Sequence, residues 1–431
     1  MKKLSLLCAG ALFTVISLAQ APLKLEDAIK RATDSSRQLQ LAGNDIQTAK
    51  ARFRQTDAIF LPRVGIEYNA MVTDNPLNAF GFKLQQSGIT QNDFMPSLLN
   101  NPRATGNFTT MATFMQPIYN ADLLAMRDAA RKQIEVVNYQ QQRTRDYVQL
   151  TTEMEYLQLQ LSYEMIKVND EAITTLQAIY KWTKDRYDQG YVQKSDLLNV
   201  EVQLRSAQTQ KASAESALQE HSDNLSVLMR QPTGIVYQPD SLQLNYRTQQ
   251  VKELSDNRAD FKAYRTAIAA YNDLIKSTRR SIIPKVNGFA SYQLNDKNAL
   301  GFGNASYLAG LRLSWNIFQG NEVRNKLTTQ TLEQEKIRLQ LTQQKEQDDK
   351  ALAKARLQLK DADFQLSQYQ LASEQASEAL TILQNRYNQG LVGTTDILLA
   401  QTQLAQQKLF YKQAVMMHNS TLAYIHFLTA E

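Results

Sequence analysis

Few residues of this chain have the types and spacing that chemistry demands. His221, His418 and His426 are its only histidines, and none stands at metal-ligand spacing from neighbouring acids. Met416 and Met417 beside His418 have the softness that copper favours, yet adjacent positions on a helix do not face one another. No Gly-rich phosphate loop, Ser/His/Asp set or buried acid pair can be identified. The reading is therefore of a protein that is not an enzyme and takes no cofactor and no metal. What remains is two acids, Asp196 and Asp396, each opening a helix after a glycine turn at Gly190 or Gly390. A carboxylate there accepts backbone N–H bonds and complements the helix dipole, typically for about 1 kcal/mol. Tyr187 and Tyr387, just before the glycines, would pack at the end of the preceding helix.

These residues belong to a repeat. Arg186-Tyr187-Asp188-Gln189-Gly190 recurs as Arg386-Tyr387-Asn388-Gln389-Gly390, and the match continues through Val192/Val392, Asp196/Asp396, Leu198/Leu398, Gln203/Gln403 and Leu204/Leu404. Earlier, Leu61-Pro62-Arg63-Val64 resembles Ile283-Pro284-Lys285-Val286, and Gln116-Pro117-Ile118-Tyr119 resembles Trp315-Asn316-Ile317-Phe318. The chain is two tandem copies of one unit: 22–231 and 258–431, joined by a polar, turn-rich linker, 232–257, expected as a belt near mid-height.

Met1 to Ala21 reads as a secretory signal, with Lys2 and Lys3, an apolar stretch from Leu4 to Leu18, and Ala19-Gln20-Ala21 as the cleavage site. Its removal takes Cys8, the only cysteine, and with it any disulfide, thiolate site or thiol nucleophile. The net charge of +6 arises from 48 basic and 42 acidic residues with no basic run, which argues against nucleic acid as a partner. After Ala21 no segment offers the roughly 18 successive apolar residues of a spanning helix. An exported chain of this kind is either soluble or a β-barrel.

Each repeat opens with a helix, 23–59 or 258–282, stopped by Pro62 or Pro284. Strands follow at 64–73 and 108–117, and again at 286–295 and 307–317. Val64, Ile66, Tyr68, Ala70 and Val72 alternate with polar or small neighbours, a period of two; 108–117 alternates least, and Phe289 breaks the pattern of its strand. Asp74–Asn107 and Asp296–Ser306, rich in turn formers, would be outer loops, and Trp315, Tyr307 and Tyr119 suit an aromatic girdle. Long helices, 121–187 and 321–387, carry coiled-coil seams such as Leu352, Leu359 and Leu366, and shorter return helices, 196–229 and 396–429, follow. Stacked end to end with an opening helix, each return helix would match a long one.

Strands of this length cross a bilayer when tilted. Four of them cannot close a barrel, since the smallest single-chain ones have about eight, and in lipid an open edge leaves its N–H and C=O groups unsatisfied at several kcal/mol each. The wall must be shared among copies: two would supply eight strands and three would supply twelve.

The signal, the duplicated helix-strand-strand-hairpin unit and the doubled Arg-Tyr-x-Gln-Gly-x-Val-x-x-x-Asp-Leu/Ile-Leu motif together resemble the TolC-like outer membrane efflux proteins over nearly the whole chain. The resemblance implies a mainly α fold with a transmembrane β-barrel portion. Long antiparallel coiled-coil hairpins would extend into the periplasm from a twelve-stranded barrel in the outer membrane, set in outer-membrane lipid and completed by a homotrimer. It implies a passive exit duct for a tripartite efflux or type I secretion system, partnered by a periplasmic adaptor (membrane fusion) protein and an inner-membrane transporter. By motif position Asp396 matches a family gate aspartate, Tyr387 a tyrosine of the restraining network, and Asp196 and Tyr187 their first-repeat counterparts. Asp396 would then form a threefold carboxylate ring that attracts cations. Gly190, Gly390, Val192 and Val392 match the hairpin turn and adaptor-docking tip. Two departures stand out: an arginine often found two residues after the glycine is Val392 here, and a second gate aspartate falls on Leu399. Together they imply a single, partly apolar constriction.

The rival reading is a periplasmic coiled-coil adaptor or scaffold without a pore. It would carry one hairpin between β-rich modules, whereas this chain has two hairpins and strands that alternate like a membrane wall.

Overall fold

The computed structural model describes residues 21–245 and 253–430; the signal reading of Met1–Gln20 and the linker segment 246–252 lie outside them. A short strand β1 (Ala21–Pro22) leads into α1 (Leu25–Ser35) and α2 (Arg37–Gln55), then β2 (Arg63–Thr73). Helices α3 (Pro76–Gln85) and α4 (Pro96–Asn100) precede β3 (Thr105–Tyr119), the long α5 (Ala121–Asp188) and the return helix α6 (Lys194–Met229). After β4 (Tyr237–Gln238) the pattern repeats as α7 (Ala259–Arg280), β5 (Lys285–Asp296), β6 (Asn304–Ser314), α8 (Glu322–Asn388) and α9 (Thr394–Thr429).

Two compact units cut across the sequence repeats: one takes in residues up to 43, 140–259 and 343–431, the other 44–139 and 260–342. The first is helical. Its core joins Leu23, Ala28 and Ala32 of the opening segment to Val148, Tyr156 and Leu159 of α5 and Leu225 and Met229 of α6. β1 pairs in parallel with β4, and Tyr156 and Tyr163 clamp this corner by donating their hydroxyls to Leu23 O and Tyr237 O at 2.9 and 3.0 Å. Burial pushes both phenols above their ordinary pKa. The seam leucines Leu352, Leu359 and Leu366 are buried, as the heptad spacing requires.

The end of each return helix meets the chain that re-enters a helix. Ser35 Oγ donates to Met229 O at 2.9 Å, and Arg258 Nη1 to Leu428 O at 3.1 Å, so terminal carbonyls that lack an intrahelical partner are capped by the element next in line. Arg258 itself is fully buried against Asp348.

The second unit holds one antiparallel sheet in the order β2-β3-β5-β6. Its strands are 11, 15, 12 and 11 residues long.

Several elements differ from the sequence reading. The opening helix is not continuous over 23–59: Ser36 is extended, and its hydroxyl accepts from Gln38 N at 3.2 Å, so it caps α2 instead of continuing α1. β3, which alternates least, is the longest strand, because β2 pairs with residues 105–115 and β5 with residues 108–119, stretches offset along it. β6 stops at Ser314, which pairs with Lys285; Pro284 comes next and has no N–H to offer Trp315. Trp315 instead donates its indole N–H to Ile282 O at 3.0 Å. The segment read as the first outer loop contains two helices.

Candidate functional site

The sheet separates two chemistries. Register places Ile66, Ala112, Tyr292 and Tyr307 in one row across all four strands, and Tyr68, Thr110, Leu294 and Ala305 in another on the same face. The opposite face carries Asn69, Thr109, Asn295 and Asn304 in one row and Glu67, Met111, Gln293 and Ser306 in the next. One side is therefore apolar and aromatic, the other mostly amide, hydroxyl and charge, as expected of a wall between lipid and a polar lumen. Phe289, on the polar side, is accommodated because Gly310 stands opposite and the Arg312 guanidinium lies 5.1 Å from its ring. β2 and β6 each lack a strand on their outer edge among the described residues. No helix among the described residues is long and apolar enough to cross a membrane.

The hairpin tips lie in the helical unit, and the repeated motif builds the same turn twice. Gly190 and Gly390 take φ of +80° and +75°, where a side chain would be strained. At each, the glycine N–H reaches back to the tyrosine carbonyl at 2.9 Å, and the next residue reaches the arginine carbonyl at 2.9 Å, closing the helix. Each aspartate then opens the return helix: Asp196 Oδ2 accepts from Gln193 N at 3.1 Å and Asp396 Oδ2 from Gly393 N at 3.0 Å.

Around this shared backbone the surroundings diverge. Tyr387 is 2% exposed, in a core made with Leu176, Ile179 and Val200 of the first hairpin and Ile397 and Leu398 of the second. Its hydroxyl lies 2.8 Å from Thr183 Oγ1 and 3.2 Å from Thr394 Oγ1. Thr183 already donates to Ile179 O at 2.8 Å, so the tyrosine is the donor of the shorter bond. Arg186 sits 5.2 Å from the Tyr387 ring and 5.3 Å from that of Trp182, and Arg186 Nη2 donates to Asn388 O at 3.5 Å. Tyr187, by contrast, is 37% exposed. Higher up, Lys408 pairs with Glu171 at 2.6 Å and Lys412 with Glu164 at 2.8 Å, joining α9 to α5.

Of the residues singled out from sequence, Tyr387 and Val392 are drawn into this inter-hairpin core, Val192 is half-buried and Tyr187 stays outside. Asp196 and Asp396 are not joined by any ion pair described. Asp396 and Leu399 line an open groove of 450 Å³ between α8 and α9, floored by Ala372, Ala376 and Ala379. Sequence reading overlooked Thr183 and Thr394. Their signal lay in the repeat itself: the 200-residue offset sets Thr183 against Leu383, Lys194 against Thr394 and Trp182 against Ile382.

An open-edged sheet with one apolar and one polar face stands on a chain otherwise made of coiled-coil hairpins. The sequence profile of the outer membrane efflux protein family matches residues 28–229 and 251–415, and the chain belongs to that family. It is an outer-membrane efflux duct and not an enzyme. Among solved structures, the chain resembles CusC, described in terms of transmembrane channel formation, with a TM-score of 0.78, 16% identity, and coverage of 97% of this chain and 95% of that one. It resembles the CmeC outer membrane channel of Campylobacter jejuni with a TM-score of 0.78 and 15% identity over 94% and 85% of the two chains. For the outer membrane protein VceC of Vibrio cholerae the TM-score is 0.77, with 18% identity over 94% and 96%. A search of the curated proteins gave no match.

Proposed function

We propose that three copies of this chain close a twelve-stranded barrel and conduct substrates, delivered by an inner-membrane transporter through a periplasmic adaptor, out of the cell. The observation that carries this reading is the sheet: two faces of opposite polarity and two unpaired edges, which only further copies can satisfy in lipid. Three copies are favoured over two by the resemblance to TolC-like proteins, which implies a homotrimer.

In this reading the hairpin tips are the constriction. Tyr387, held by Thr183 and flanked by Arg186, fastens the second hairpin to the first. Asp396 and Leu399, both exposed, face the passage as a carboxylate ring and an apolar ring. Gly190, Gly390, Val192 and Val392 shape the tips offered to the adaptor, and Asp196 and Tyr187 are the first-repeat counterparts of Asp396 and Tyr387 at the same constriction. Single-channel recording in planar bilayers tests the ring: Asp396→Ala should relieve block by divalent cations, and unchanged block would remove Asp396 from the constriction. In the same bilayers Tyr387→Phe should lengthen open dwell times, and wild-type gating in that variant would deny Tyr387 its restraining role.

A further inference from the structure

The first outer connection, 74–104, is a folded object with its own small core. Asn75 caps α3 by accepting from Asn78 N at 3.2 Å, and Phe80 meets Phe94 edge to face at 5.7 Å between centroids. Lys83 pairs with Asp93 at 2.6 Å, and that bond, with those from Thr90, holds the Asp93 carboxyl down to about 2. A loop this well ordered is more than a connection.

Its attachment is to one face of the sheet. Gln86, at the end of α3, donates from Nε2 to Asn107 Oδ1 at 2.9 Å and to Gly106 O at 2.8 Å, while Asn304 Nδ2 donates to Gln86 O at 2.5 Å. Beneath it Asn107 Nδ2 reaches Asn295 Oδ1 at 3.0 Å and Thr109 Oγ1 reaches the same oxygen at 2.8 Å. Asn107, Asn295 and Thr109 are buried by this cover, Asn107 completely. All these side chains belong to the polar rows, so α3 is pinned on the lumenal side of the wall. The polar network is fully connected, the condition under which buried amides stabilise one geometry.

The cover leaves apolar surface exposed. Leu77 and Leu84, seven apart and thus on one stripe of α3, are 80% and 54% exposed, and Phe94, Met95 and Leu98 are exposed too. We propose that these residues meet their counterparts from the neighbouring copies, so that the α3–α4 segments form an apolar cap inside the outer mouth of the duct. The occupant follows from continuity: the edges of β2 and β6 require further copies, and every copy then brings its segment to the same enclosed side. This inference rests on the shared-barrel reading.

The test uses the full-length protein purified in detergent and carrying one cysteine, Leu77→Cys, with a mild oxidant or a short bismaleimide. The cap predicts covalent dimers within an intact oligomer. In planar bilayers, Gln86→Ala, which removes the pin, should raise single-channel conductance about twofold or more, and deletion of 77–101 should do so at least as strongly. An intact trimer with no cross-link and wild-type conductance in Gln86→Ala would overturn the cap while leaving the duct standing. A protein that does not oligomerise at all would overturn the duct, and the cap with it.

Discussion

The two hairpin tips share a pentapeptide scaffold and a turn geometry, yet one tyrosine is sealed into a core and the other lies open. Gly190 and Gly390, and the acids that follow them, repeat each other to within a few tenths of an ångström in their hydrogen bonds. Thr183, Thr394 and Trp182 do not recur at the matching positions, and they are what receives Tyr387. A duplicated motif thus encodes the backbone of a turn, while divergence around it makes one tip a fastening and leaves the other free. Duplication supplied the element, and asymmetry gave it two environments.

The contrast can be broken most forcefully by truncation. Tyr387→Ala empties a filled core site and should cost about 3 to 5 kcal/mol, seen as a lower melting temperature in detergent; Tyr187→Ala, at an exposed position, should cost about 0.5 kcal/mol or less. Equal losses would show that burial does not distinguish the tips. Replacing either glycine with alanine forces a side chain into left-handed backbone, at about 1 to 2 kcal/mol each. The two should cost alike, because Gly190 faces open space and a methyl at Gly390 would meet only the flexible end of Arg186 at an ordinary 3.4 Å. Removing only the hydroxyl sharpens the comparison further: Tyr387→Phe should cost about 1 to 2 kcal/mol, and Tyr187→Phe should leave the melting curve where it was.

The smallest effect concerns pH and lies in the first repeat alone. Glu155 accepts from His221 at 3.0 Å and from Asn224 at 3.3 Å, and these bonds, the first above all, hold its carboxyl below the ordinary value of 4.5 against the opposing effect of burial. A depressed carboxyl stabilises the fold above its unfolded pKa, and the benefit fades as pH falls through the lower folded value. Glu155→Gln should therefore flatten the acid limb of the stability profile below about pH 4.5; an unchanged limb would mean that the pair contributes nothing there.

Much of this was legible in the sequence because regular elements leave periodic traces. The alternation in Val64–Val72 and Tyr307–Leu313 announced a wall with two faces, and the 200-residue echo announced paired hairpins. Ser36 was harder to see, since its cap is set by one hydroxyl within an unbroken helical pattern. The helices of 74–104 were hidden by Asn, Pro and Gly, which mark helix starts as readily as loops: Asn75-Pro76 is the cap and first residue of α3. The hydroxyl contacts of Tyr387 depend on residues from a different hairpin, and spacing along one chain cannot disclose them.

All of this depends on the unpaired edges of β2 and β6 being closed by identical neighbours. Native mass spectrometry of the detergent-extracted outer-membrane protein addresses that directly. The account predicts a particle of three chains. A stable single chain, released into buffer without detergent, would contradict it.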